Sequence, residues 1–579
     1  MHTCSCYPGI VLIEGEEHPP NAKKWAGVSM EGGQVTVSWS NVNDAKQERC
    51  KPRRPEPLRP DELDKLKRPP TERKFRAALG GIGCAGARPM VSRVSPYNMG
   101  KALFGRVFRL PAANDWGRGP MPGVWVWAEG HVDRLLPGYR DDNEVMAIEA
   151  WIESMPAKRR RALTQAWEDY KRRGWKPSFA KFTAFVKSEF LPGFDKDAWD
   201  IVPLREMLDR IIQGPHDVTH LIAGPYLKPK VHLLKKIWTC EDPIFYGSAG
   251  PEALHRWLNE VIVPARGWYF WCDFSMFDNT HSKDSWRFMK RLYRNAMRDP
   301  EFRRVMKAWE TPRGRIGPLM YIARIMNASG RDDTALANGV LNGFATYLSL
   351  LAAWLDKPLM TLTDPDVCRG MGMIRLSVTG DDSLGCVPEM TDEVAGKFRE
   401  QVGRNIAMFG FEAKFCMSRD LKDVVYLGSR PYPVKHTDGH VEWYWGRTIG
   451  RATYKMGWVL LDKPKDVMAQ ITGIADMHCL CSAHVPVLGD LARKIVELRR
   501  GMKRTPKEYD PNRPWEWTVS AGGYSELTLE WVAAVYDRPY RRVTVAHVKE
   551  LLALIADVQA LPCVLDHWLW THMIHCDDL

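Results

Sequence analysis

An alternating run that ends on a double acid constrains this chain more than any other feature. In Ile374-Arg-Leu-Ser-Val-Thr379 the residues Ile374, Leu376 and Val378 share one face, and the run stops at Gly380-Asp381-Asp382. Period-2 alternation of this kind is the pattern of a half-buried strand. A second apolar run, Ser383 to Val387, follows at once. The sequence therefore predicts a β-hairpin with two carboxylates at its tip.

A second strand is predicted over Trp268-Tyr-Phe-Trp-Cys-Asp273, a run of aromatics that also ends on a carboxylate. If the two strands are neighbours, their acids meet, and a cluster of acids is unfavourable unless cations neutralise it. Oxygen ligands of this kind suit Mg2+ or Mn2+, which keep several waters and are completed by substrate phosphates. Two such ions suit an in-line displacement at phosphorus. The bland alternative is that Gly-Asp-Asp is an ordinary turn in a chain with 45 glycines.

The partner implied by charge is a polyanion, because 82 Lys and Arg face 70 Asp and Glu, a formal charge of +12. The length, 579 residues, predicts three to four lobes at about 150 residues each. Phe344 to Leu355 is the longest apolar stretch found, too short for a membrane-spanning helix. Met1 to Glu17 lacks the basic and apolar regions of a secretory signal, so residence in a reducing cytosol is expected. The 13 cysteines are then read as thiols rather than a disulfide framework.

Between Lys51 and Arg76 six prolines interrupt a charged stretch, and residues 1–75 are read as a flexible, basic, proline-rich appendage. Glu144 to Arg173 has helical spacing, and its basic runs Lys158 to Arg161 and Lys171 to Arg173 are read as a solvated face. After about His440 the chain is expected to be mainly helical.

The order of further motifs resembles that of the RNA-dependent RNA polymerases of positive-strand RNA viruses, most closely the tombusvirus-like and nodavirus-like groups. Asp273-Phe-Ser-Met-Phe-Asp278, followed by Asn279-Thr-His-Ser282, looks like the family's first palm motif. Ser329-Gly330-Arg-Asp-Asp-Thr334-Ala-Leu-Ala-Asn338 looks like the second, and Gly380-Asp381-Asp382 like the third. Upstream, Phe185-Val-Lys187-Ser-Glu189 and Arg210-Ile-Ile-Gln213 resemble the basic motif that receives the triphosphate. The likeness covers roughly residues 185 to 430. Leu208-Asp209 stands where these families often carry a proline before the arginine.

The resemblance implies an α+β right-hand polymerase with fingers, a palm built on a small antiparallel sheet, and a helical thumb. Its expected segments are fingers at 76–267, palm at 268–435 with a fingers insertion near 283–325, and thumb at 436–579. It implies that Asp273, Asp381 and Asp382 hold two Mg2+ or Mn2+ ions, with Asp382 an outer ligand. Asp278 and Asn338 would read the ribose 2′-hydroxyl, with Ser329, Gly330 and Thr334 shaping the loop and helix start and Asp332 or Asp333 capping that helix. Lys187 and Arg210 would neutralise the triphosphate, Glu189 would position them, and Lys414 would protonate the leaving pyrophosphate. The implied partners are single-stranded RNA template, nascent RNA, nucleoside triphosphates and a membrane-anchoring protein. The implied location is the host cytoplasm, at membrane-associated replication complexes.

Two rival functions follow from the same residues. A reverse transcriptase has a similar acidic palm but guards the sugar with a bulky aromatic, where this chain offers Asp278 and Asn338. A noncatalytic RNA-binding replication protein would have a decayed palm, against which the intact acids argue. Among the 24 tryptophans some could stack on template bases. The cluster His478, Cys479, Cys481 and His484 is crowded into seven residues, and the lack of two-arm spacing favours ordinary side chains over zinc. The same reading covers His567, His572, His575 and Cys576.

Overall fold

The structure is a computed structural model that describes residues 24–31, 34–41, 76–87, 90–91, 99–100, 102–107, 113–114, 117–187, 189–191, 210–317, 319–323, 325–461, 466–505 and 518–578. Asp209, the departure noted before Arg210, lies outside them. The fold is α+β.

Five strands form the central sheet: β1 (Ile244–Tyr246), β2 (Gly267–Phe274), β3 (Arg375–Thr379), β4 (Asp382–Pro388) and β5 (Ala413–Ser418). Their spatial order is β1-β3-β4-β2-β5. Only β1 runs parallel to its neighbour, and the other pairs are antiparallel. The predicted hairpin is β3 and β4, closed by the pair Thr379↔Asp382 around a two-residue loop. Gly380 takes a φ of 61°, and a glycine at the first loop position is what a type II′ turn requires.

Beneath the sheet run two helices, α1 (Thr334–Trp354) and α2 (Asp392–Met408), whose apolar residues share one core with β2, β3 and β4. The interior of α1 is buried from Leu336 through Ala352. Its length and composition match a membrane span, yet it sits inside this core. Asn405 ties α2 to it by donating to Ser349 O at 3.2 Å.

A four-stranded sheet joins distant segments, in the order 211–214, 181–186, 313–316 and 319–322. The inserted segment near 283–325 thus contributes two of its strands, after helices Lys283–Leu292 and Pro300–Glu310. The C-terminal region has its own core, formed largely by helices between Ile449 and Asp578.

Three features differ from the expected segmentation. Residues 24–31 and 34–41, inside the supposed appendage, pair as a hairpin. Residues 76–79 pair with 458–461 and 82–84 with 563–565, so they join the C-terminal core rather than the fingers segment. A hairpin of 429–435 with 441–447 extends past His440, and the helices begin only at Ile449. Nothing local in the sequence marks the pairings of 76–79 and 82–84, because their partners lie hundreds of residues away.

Candidate functional site

The acids gather where β2, β3 and β4 end together. β2 pairs with β4 up to Cys272↔Ser383, and one more step of that register puts Asp273 opposite Asp382. On its other side Asp273 is the direct partner of Lys414. Partners across antiparallel strands project to the same face, so Lys414 stands beside the acids. Asp273, Asp381 and Lys414 are exposed, whereas Asp382 is half-buried.

Two polar anchors hold the tip. Asn342, one turn along α1 from Asn338, donates to Gly380 O at 3.1 Å and Asp382 O at 3.2 Å. Thr346 donates to Asn342 Oδ1 at 2.9 Å, which orients that amide. The Tyr426 hydroxyl sits 2.9 Å from both the Ser377 and Thr379 hydroxyls behind β3.

The electrostatics are those of a crowded anionic cleft. Burial pushes the Asp382 carboxyl up to about 7, helped by the charges of Asp381 and Asp273 and opposed by Arg451 and Arg210. Asp381 is raised too, first by the surrounding protein and then by Asp273. It keeps contact with solvent although the surrounding protein raises its carboxyl.

Past the end of β2 the chain turns through Met276, in the left-handed region at φ 52°, and enters a short helix, Phe277–Thr280. That turn brings Asp278 back toward α1, where Asn338 Nδ2 donates to Asp278 Oδ1 at 2.7 Å. The amide oxygen of Asn338 accepts from Asn327 Nδ2 at 2.7 Å and lies 3.1 Å from His281 Nε2. Since that oxygen can only accept, His281 carries a hydrogen on Nε2. Burial raises the Asp278 carboxyl to about 7, against the opposing effects of the Asn338 bond, Arg331 and Arg210.

The second predicted motif builds the floor under this pair. Ser329 Oγ donates to Ile211 O at 3.1 Å, and Ser329 O accepts from Gln213 N at 2.8 Å. Gly330 has φ 111°, and a Cβ there would meet Gln213 O at 2.8 Å, so side chains are excluded. Thr334 donates to Ala328 O at 3.1 Å and thus faces the loop rather than the Asp278 carboxylate. The expected capping differs as well. Asp333 occupies the cap position of α1, but its carboxylate takes two bonds from Arg331, at 2.9 and 2.7 Å, instead of the helix amides. Asp332 lies 2.9 Å from His220 Nδ1.

Lys187, Glu189 and Arg210 converge. Glu189 lies 3.1 Å from Lys187 Nζ and 3.6 Å from Arg210 Nη1. Arg210 is also close enough to act on Asp278, Asp381 and Asp382 together. Sequence reasoning missed Asn342, Tyr426, Asn327, Arg331 and Arg451. For Asn342 a signal existed, an amide in an otherwise apolar helix four residues after Asn338. Arg451, on helix Ile449–Met456, reaches Asp382 from a region with no recognisable motif.

Among the described residues no three His, Cys, Asp or Glu side chains converge as a ready-made metal cage. Mg2+ does not need one, since one or two carboxylates with waters and substrate phosphates suffice. The donor set fits such an ion, and the raised Asp381 and Asp382 carboxyls carry repulsion that a divalent cation would relieve.

The cysteine and histidine cluster is engaged otherwise. His484 is buried, with Nδ1 3.0 Å from Ser520 Oγ and Nε2 3.1 Å from Trp445 O. His478 Nδ1 lies 3.2 Å from Ser482 Oγ. The ten described cysteines are free thiols. Burial pushes His484 down to about 4, so it is neutral in the fold but protonates on unfolding below its ordinary value near 6.5. Its contribution to stability is therefore full above about pH 6.5 and lost as pH falls toward about 4, on the order of 3 kcal/mol in all. Unfolding followed across that window should show the loss in the native chain and a shallower slope in His484→Gln. Equal slopes would contradict the assignment.

No family model matches this chain, and no curated protein matches it.

Proposed function

We propose that this chain is a right-hand polymerase that extends RNA on an RNA template from nucleoside triphosphates. One observation carries the reading: a cluster of three acids, Asp273 and Asp382 on neighbouring strands and Asp381 in the hairpin loop, stands beside an Asp278–Asn338 pair bonded at 2.7 Å. The central sheet would be the palm, the sheet of 181–322 part of the fingers, and the C-terminal helices the thumb.

Asp273 and Asp381 would hold two Mg2+ or Mn2+ ions, with Asp382 alongside. When bound, these ions supply Lewis acidity toward a 3′-hydroxyl and offset the charge of the leaving pyrophosphate. The chain's own residues supply the rest. Lys187 and Arg210, held by Glu189, present two cations to the triphosphate, a point charge and a fork. Lys414, the neighbour of Asp273, is placed to give a proton to the departing pyrophosphate oxygen. Asn338 and Asp278 offer a donor and an acceptor to the ribose 2′-hydroxyl, the group that separates RNA from DNA precursors.

The sugar assignment has a direct test. Asn338→Ala leaves the buried Asp278 with one partner fewer when a ribonucleotide binds. A lost hydrogen bond to a charged group is worth about 1.5 to 3 kcal/mol, or roughly tenfold to a hundredfold in discrimination. The ratio of kcat/KM for ribonucleotides over deoxyribonucleotides should narrow by that factor. An unchanged ratio would show that Asn338 does no more than hold Asp278 and the neighbouring loop.

A further inference from the structure

Which side of a buried amide faces its neighbours is fixed by what those neighbours can donate or accept. Around Asn338 the deciding group is a backbone carbonyl. Asn327 is wholly buried, with Nδ2 3.3 Å from Thr334 O. That oxygen can only accept, so Asn327 turns its NH2 toward the start of α1. The same Nδ2 donates to Asn338 Oδ1 at 2.7 Å. His281, 1% exposed, brings Nε2 to that oxygen at 3.1 Å. Two donors thus fill both lone pairs of Asn338 Oδ1, and the amide nitrogen is turned to the other side, where it donates to Asp278 Oδ1 at 2.7 Å.

Asn327 holds the other member of the pair as well. Its backbone N–H donates to Asp278 O at 2.8 Å, so one residue grips the main chain of Asp278 and the side chain of Asn338. His281 follows the short helix Phe277–Thr280, and its ring stands edge-on to Phe277 with centres 5.5 Å apart. Asp278 by itself would not set the direction of the amide. A carboxyl raised to about 7 is partly protonated at neutral pH, and its protonated form can donate to an amide oxygen just as its ionised form accepts from an amide nitrogen. Asn327 and His281 remove that choice. An amide nitrogen carries two hydrogens, of which Asp278 takes one, and the carboxylate keeps Oδ2. A ligand therefore meets one donor and one acceptor in fixed places.

We infer that Asn327 and His281 are positioning residues for sugar selection, holding the Asn338 amide so that its nitrogen, and not its oxygen, faces Asp278 and the ribose 2′-hydroxyl. The inference rests on the sugar assignment proposed above, in which neither residue had a role.

The test compares kcat/KM for ribonucleotides and 2′-deoxyribonucleotides in the full chain. His281→Phe keeps a buried ring and removes the donor. It should lower the ribonucleotide value about two- to tenfold, the worth of one hydrogen bond, and leave the deoxyribonucleotide value near native. His281→Gln, whose amide can place an N–H near the position of Nε2, should recover the native ratio. Asn327→Ser keeps the backbone N–H for Asp278 but withdraws the side-chain donor, and should show the same selective loss. Adding His281→Phe to Asn338→Ala should cost nothing more, because the amide it holds is gone. Circular dichroism matching the native chain establishes that a variant is folded, and variants at two separate positions keep the test decisive if one is not. Equal losses on both sugars would make the residues merely structural and overturn the inference, as would additive losses in the double variant. Native ratios in folded His281→Phe and Asn327→Ser, with a narrowed ratio in Asn338→Ala, would overturn the inference and leave the sugar assignment standing. An unchanged ratio in Asn338→Ala, or a native chain that incorporates nothing, would overturn the sugar assignment and the inference with it.

Discussion

Asp381→Asn should lower nucleotide incorporation about a thousandfold or more while leaving RNA affinity near native. The substitution keeps the shape of the tip and removes one negative charge. Charge stabilisation at a metal-assisted phosphoryl centre is worth several kcal/mol, and about 4 kcal/mol is three decades of rate. On the proposed function, RNA affinity would rest on cations elsewhere, so the electrostatic term of binding should survive. The same variant should not be less stable. The folded state disfavours the charged Asp381, since the surrounding protein and Asp273 both raise its carboxyl. A raised acid contributes stability while protonated, and that contribution fades as pH rises through its folded value. At about pH 8 in metal-free buffer the neutral amide should therefore hold or raise the thermal midpoint. Activity within about tenfold of native would contradict the assignment of Asp381. A midpoint lower by many degrees would show instead that the carboxylate supports the hairpin.

Arg331→Met should destabilise the region around α1 by about 3 to 5 kcal/mol, because it leaves a buried carboxylate without its partner. Both side chains of the Arg331–Asp333 pair are wholly inaccessible, at 0% exposure. The guanidinium is also stacked, 4.2 Å from the Trp286 ring centre and 5.1 Å from that of Trp309. The pair lies seven and five residues before Asn338, at the start of α1, so its loss should loosen the segment that positions the amide. Hydrogen exchange across Thr334–Trp354 should show reduced protection. Arg331→Met with Asp333→Leu should recover most of it, since well-packed apolar replacements of a buried pair are often neutral or better. Protection equal to native in the single variant would contradict this account, as would a double variant weaker than the single one.

The parts of the site that were legible in the sequence are those where local pattern and chemistry coincide. Strict alternation into Gly380-Asp381-Asp382 specified strand, turn and acids in nine consecutive residues. The aromatic run before Asp273 read as β2 because bulky, β-prone residues had to be covered on both faces. Asp278 and Asn338 could be paired only through the resemblance, and the structure bonds them. What stayed hidden depends on distant partners. Strand β1 is three residues long, too short to show a period, and is defined by its pairing with β3. The second sheet joins strands more than 100 residues apart, so no window of sequence contains it. Arg331 read as part of a loop, since its role comes from two tryptophans on other helices. Asp333 stands at the expected cap position but makes no side-chain cap bond, because a buried arginine competes for its carboxylate better than helix amides do.

The most direct measurement is nucleotide incorporation by the purified chain on a single-stranded RNA template, with Mg2+ or Mn2+ and each ribonucleotide omitted in turn. The account predicts product whose composition follows the template, dependent on a divalent cation and absent in Asp381→Asn. Failure to incorporate with either ion, in protein that is folded and binds the template, would contradict it. So would incorporation that ignores the template sequence.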